Sequence, residues 1–146
     1  MNHNLWAHLV GEFGRQIGIP DAQLDDYGSW SFVADDILVN IQTREDGSFL
    51  DCYSFLGKIE HPGEELYETL LEANFFSRGI YGATIGVSGA AHLVTLAYRI
   101  SANGLDGSRF FKIMENFINL SAHWRDRITQ MQETSPRSDP SMGVNV

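Results

Sequence analysis

"LLEANFFSRGIYGATIGV", residues 70–87, decides how this chain folds. Its first half continues the stretch "HPGEELYETLLEANFFSRG" (61–79), which reads as a helix. Pro62 suits the first turn, Glu64 and Glu65 complement the positive end, and Gly79 suits the stop. Its second half, "GATIGVS" (82–88), reads as a strand. The glycine-spaced run between them is either a phosphate cradle or a turn into a sheet. A phosphate loop needs G-x-x-x-x-G-K-[ST], with the lysine on the phosphates and the hydroxyl on magnesium. Here Gly82 and Gly86 are followed by Val87 and Ser88, and no lysine lies between Lys58 and Lys112. A dinucleotide fingerprint follows a strand and opens a helix; this run follows a helix and opens a strand. It is a turn.

Outward from that stretch, apolar residues Leu5, Trp6, Leu9, Val10, Phe13 and Ile17 recur at helical spacing, with Asn4 as cap and "GIP" (18–20) as stop. Residues 29–34 and 37–42 alternate as strands about a short turn at Asp35-Asp36, and 48–56 forms a third after "REDG" (44–47). Connections this short make an antiparallel meander, because parallel crossovers need a dozen residues or more. A further strand, 91–100, follows 82–88 through a turn around Gly89. The last helix starts at a cap on Asp106 and runs to about Met131, with an apolar face broad enough for burial on more than one side. The order α-β-β-β-α-β-β-α is an α+β fold, an antiparallel sheet of about five strands with three helices on one face. Residues 1–132 are expected to form one domain. The polar, proline-punctuated 133–146 is expected to be a disordered tail.

Ten Lys and Arg are scattered among nineteen Asp and Glu, for a net charge of −9. Binding to phosphates needs clustered cations, so nucleic acid is excluded as a partner, and an anionic membrane surface repels the chain. The start "MNHNLWAHLVGEF" lacks a basic region and a long apolar core, so no signal peptide is expected, and no apolar run is long enough for membrane insertion. Cys52 is the single cysteine. It rules out an internal disulfide and a thiolate zinc cluster, and a cytoplasmic location follows. His3, His8, His61, His92 and His123 fall in different elements without metal-ligand spacing. Cys52 alternates with Leu50 and Ser54 and reads as a buried small hydrophobe, and the paired acids at 25–26, 35–36 and 64–65 read as caps and solvated faces. No catalytic constellation, metal site or cofactor site emerges. What does stand out is apolar excess. Strand 48–56 is apolar on both faces, with Phe49, Tyr53 and Phe55 on one and Leu50, Cys52 and Leu56 on the other. That pattern is either a two-sided core or a patch for a partner.

The motif Leu70-Leu71-Glu72-Ala73-Asn74-Phe75, followed by Gly82-Ala83-Thr84-Ile85-Gly86-Val87, resembles the class I chaperones of bacterial type III secretion, the Tir-chaperone (CesT-like) family. The first helix ending at Gly18-Ile19-Pro20 and the closing helix "LDGSRFFKIMENFINLSAHWRDRI" (105–128) fit the same family, and the resemblance spans residues 4–130. It implies a homodimer in the bacterial cytoplasm, without enzymatic activity or cofactor. Such a dimer would bind the N-terminal region of a secreted effector in extended form, keeping it soluble and export-competent. It also implies a dimer interface on the second helix and adjoining strand, with Leu66, Leu70, Phe75, Ile85 and Val87 as candidates and close strand-to-strand contact around 82–88. Candidate effector-binding residues are Phe32, Ile41, Phe49, Tyr53 and Phe55, in grooves between the first helix and the meander. One alternative is an adaptor that binds another chaperone or a regulator. Another is a small ligand-binding domain or enzyme using Cys52 or a histidine.

Overall fold

The computed structural model describes residues 3–44, 46–75 and 79–134. Its elements are α1 (His3–Gln16), β1 (Ser29–Ala34), β2 (Ile37–Arg44), β3 (Phe49–Lys58), α2 (Glu64–Asn74), β4 (Thr84–Ser88), β5 (Leu93–Ser101) and α3 (Gly107–Thr134). The five strands form one antiparallel sheet in the order β1-β2-β3-β5-β4. The expected α+β architecture is present, with β5 inserted between β3 and β4. Three details differ from expectation. Asn4 lies inside α1, which starts at His3. Pro62 precedes the cap residue Gly63, so it stands ahead of the first turn of α2. Helix α3 continues through Thr134, past the expected end near Met131, and residues 135–146 of the expected tail lie outside the described residues.

The β1–β2 hairpin closes on Asp35 and Asp36, both left-handed, with φ of 52° and 64°. Two successive positive-φ residues match the right-handed twist of the flanking strands, and aspartate tolerates that conformation better than most residues. Asp106 caps α3 as expected, its Oδ1 accepting from the Arg109 amide at 2.8 Å.

Alternation along the strands puts Phe32, Val39, Ile41, Leu50, Cys52, Leu56, Leu96 and Ile100 on one face, all buried. Helix α1 covers the β1–β2 end of that face. Its Phe13 ring meets Phe32 at 5.5 Å and Phe110 of α3 at 5.9 Å, while Trp30 stacks on Phe32 at 4.6 Å. The Trp6 indole satisfies its N–H by donating to the Gly47 carbonyl at 2.7 Å, which ties α1 to the β2–β3 turn. Gly14 permits the turn after α1 to close, since a Cβ there would stand 2.2 Å from the Ala22 side chain. Helix α3 crosses the sheet centre over β2 and β3, and α2 lies beside it against β4.

A polar contact sits where α3 meets the sheet. The hydroxyls of Ser54 and Ser121 are 2.8 Å apart and both side chains are fully buried. A buried hydroxyl without a partner costs about 1–3 kcal/mol, whereas removing both partners together costs far less than two such losses. Ser121→Ala is therefore expected to lower unfolding stability by about 1–3 kcal/mol, and Ser54→Ala/Ser121→Ala by clearly less than the sum of the single changes. Urea denaturation of the three variants checks this.

Candidate functional site

The glycine run makes a turn. Gly82 has a φ of 93°, Tyr81 before it a φ of 49°, and the run delivers the chain into β4. Ile80 is buried and Tyr81 is 85% exposed. Among the described residues no group of three or more His, Cys, Asp or Glu side chains could hold a metal ion, and no helix is long and apolar enough to cross a membrane. Cys52 sits in mid-strand on the helix-covered face, its Sγ 3.5 Å from the Tyr98 carbonyl. Burial pushes its thiol pKa well above the usual range, with the nearby Asp51 charge adding to the rise. A thiol kept protonated and out of solvent is a poor nucleophile.

The five candidate effector-binding residues fall on opposite faces of the sheet. Phe32 and Ile41 lie in the core on the helix-covered face. Phe49, Tyr53 and Phe55 stand on the uncovered face, where the Tyr53 and Phe55 rings meet edge-on at 6.0 Å. The structure adds two residues there that the sequence reading missed, Val33 and Leu38. They pair directly across the hairpin and are 63% and 42% exposed. One step beyond the Val39–Ser54 pair, Leu38 and Phe55 lie side by side, so Val33, Leu38, Phe55 and Tyr53 form a continuous apolar strip. The available signal was the unbroken apolar run "ILV" at 37–39, where a half-covered strand should alternate.

Farther along the uncovered face the Asp51 carboxylate is held by two arginines. Arg99 contributes Nε at 2.8 Å and Nη2 at 3.0 Å, and Arg44 contributes Nε at 3.0 Å. The Arg99 hydrogen bonds hold the Asp51 pKa below its usual value against the effect of partial burial, with Arg44 adding to the depression. The Arg99 guanidinium also lies over the Phe49 ring, 5.1 Å from its centroid.

The two sheet edges differ. On β1, Ser29 turns its backbone outward and both groups are taken by Asp25, whose amide donates to the Ser29 carbonyl and whose Oδ1 accepts from the Ser29 amide, each at 2.9 Å. By the two-residue alternation of an antiparallel ladder, Ser31 and Val33 turn their N–H and C=O outward as well. On β4, the Asn74 side chain brackets Ile85: Nδ2 donates to the Ile85 carbonyl and Oδ1 accepts from the Ile85 amide, both at 2.8 Å.

The candidate dimer residues also divide. Leu66, Leu70 and Ile85 are buried within the chain, whereas Phe75 and Val87 are exposed. Two further exposed apolar side chains lie on the same segment, Leu71 on α2 (70% exposed) and Tyr81 in the turn before β4. Leu71 was detectable in sequence, because it lies off the stripe of Leu66, Leu70 and Ala73 that faces the core. A groove of about 680 Å³ runs between Tyr81, Tyr98 and α3, where Phe117, Leu120 and Trp124 line it. Trp124 fixes its wall by donating from the indole N–H to the Gly79 carbonyl at 2.9 Å, and Arg127 stacks over the same indole at 5.0 Å.

The family model for the Tir chaperone protein (CesT) family matches residues 8–125. Solved structures share the fold. In the ExsC-ExsE complex, one chain is 22% identical with a TM-score of 0.72, over 85% of this chain and 93% of that one. A chain of the HopA1-SchA chaperone-effector complex is 16% identical with a TM-score of 0.71, over 86% and 97%. A chain from the Yersinia pestis type III secretion chaperone SycH in complex with a stable fragment of YscM2 is 16% identical with a TM-score of 0.63, over 82% and 98%. No curated protein sequence matches the chain.

The Cys52 environment generates a direct prediction. In the native protein a colourless-to-yellow thiol reagent is expected to label Cys52 only at the rate of global unfolding, and at once in denaturant; rapid native labelling would contradict the buried placement.

Proposed function

Because this chain belongs to the Tir chaperone protein (CesT) family, we propose that it works without catalysis or cofactor, as a homodimeric chaperone in the bacterial cytoplasm. Its client is a type III secreted effector, whose N-terminal region it holds in extended form so that the effector stays soluble and export-competent. The observation that carries this reading is the β1 edge. Ser31 and Val33 offer outward backbone groups there, and the exposed strip of Val33, Leu38, Phe55 and Tyr53 begins beside them. An extended segment can add a strand to such an edge, its backbone supplying affinity and its alternate side chains supplying specificity. Side chains that face the uncovered side would meet the strip. Those on the other side would meet Trp30 and Phe32, where α1 covers the sheet.

The second copy is proposed to meet the α2–β4 surface. Phe75 and Val87 lie at the contact with Leu71 and Tyr81, while Leu66, Leu70 and Ile85 support it from beneath. Exposed apolar side chains on one helix and the strand that follows it are candidates for burial by a partner.

The experiment is retention of proteins from the native bacterial lysate on the full chain, followed by limited proteolysis of what is held. Protection of an N-terminal segment of one larger secreted protein is expected. Retention of a regulatory protein or another chaperone would move the reading to an adaptor. Val33→Glu/Leu38→Glu is expected to weaken client retention on the order of tenfold or more, about 1.4 kcal/mol, without altering the dimer. Leu71→Glu/Phe75→Glu is expected to yield a folded monomer in sedimentation velocity at micromolar concentration.

A further inference from the structure

The free edge of an antiparallel sheet is a template for strand addition, and proteins that keep an edge unpaired blunt it. On β4 the blunting is done by one side chain. A carboxamide carries a donor and an acceptor side by side, matching the outward C=O and N–H of a single strand residue. Asn74 is the last residue of α2 and meets both groups of Ile85 at 2.8 Å. These are the two bonds a neighbouring strand would supply. One residue earlier in the same outward series, the Ala83 amide donates to the Ile80 carbonyl at 2.9 Å. In a five-residue strand that leaves Val87 as the outward position beyond the reach of Asn74. Aspartate at 74 would keep the acceptor but set a carboxylate against the Ile85 carbonyl, and serine would be too short to span both groups.

We infer that Asn74 is a latch that closes the β4 edge to strand addition. It makes the sheet one-ended, so an extended partner joins at β1, and a second copy approaches α2–β4 through side chains instead of extending the sheet. The choice of β1 rests on the client reading above; the closure of β4 does not.

The test uses the full chain without any client. Asn74→Ala, with Asn74→Leu, which keeps the side-chain size and lacks both polar groups, as a second variant in case the first folds poorly, is examined by amide hydrogen exchange and sedimentation velocity. The Ile85 amide is expected to exchange on the order of tenfold faster or more, with α2 amides such as Leu70 little changed. The variant is also expected to form species larger than the wild-type assembly. Thr84→Lys puts a charge on the exposed face of the same edge at a position outside the proposed dimer contact, so adding it to Asn74→Ala should restore the wild-type size while Ile85 exchange stays fast. Unchanged Ile85 exchange, absence of larger species, or larger species that persist with Thr84→Lys would each overturn the latch. Because no client enters these measurements, their outcome is separable from that of the lysate experiment.

Discussion

A sheet covered on one side has to account for its bare face and its two edges, and this constraint organises the molecule. All strand pairings are antiparallel, so among the described residues no crossover helix wraps to the second face, and α1, α2 and α3 gather on the first or along its edge. The side chains left on the bare face include polar ones, as solvent requires: Ser31, Asn40, Gln42, Asp51, Thr95 and Arg99. Against that background Val33, Leu38 and Phe55 stand out physically. They are exposed apolar groups on positions where the rest of the face is solvated.

The covered face is held by α3. Over 28 residues it reaches every part of the fold. Phe110 packs into the α1 aromatic cluster, Ser121 meets β3, and Trp124 fixes the turn at Gly79. Arg125 donates to the Asp35 carbonyl of the β1–β2 turn at 2.7 Å. Gln132 accepts from the Glu60 amide at 2.7 Å and donates to the Lys58 carbonyl at 3.1 Å. One rigid helix thus sets where the hairpin, the β3–α2 connection and the loop before β4 lie. The β1–β2 turn and the Gly79 wall of the groove are thereby tied to one helix.

Much of this was legible along the chain. Helical spacing in Leu9, Val10 and Phe13 and alternation in Ile37, Val39 and Ile41 gave the elements, since both periodicities are local properties of the backbone. Short connections gave the antiparallel sense. The position of β5 between β3 and β4 was not legible, because antiparallel order beyond a hairpin depends on which faces pack. For the same reason Phe32 and Phe55, both read as candidate client contacts, proved to be on opposite sides of the sheet. An apolar residue in a strand announces a face but does not say whether a helix covers it.

Asn74 illustrates the division most sharply. The sequence by itself determined that a helix ends near it, that a glycine-bounded turn follows, and that Ile85 lies in a strand. It also determined that the run has no lysine or strand-to-helix order for phosphate. Tertiary structure decided that the Asn74 carboxamide would face the backbone of Ile85, across 11 positions of sequence, and that Ser54 would meet Ser121 across 67. Periodicity and turn chemistry are written in neighbouring residues. Which edge is bonded, and which face is bare, follow only when distant segments compete to satisfy the same polar groups and bury the same apolar surface.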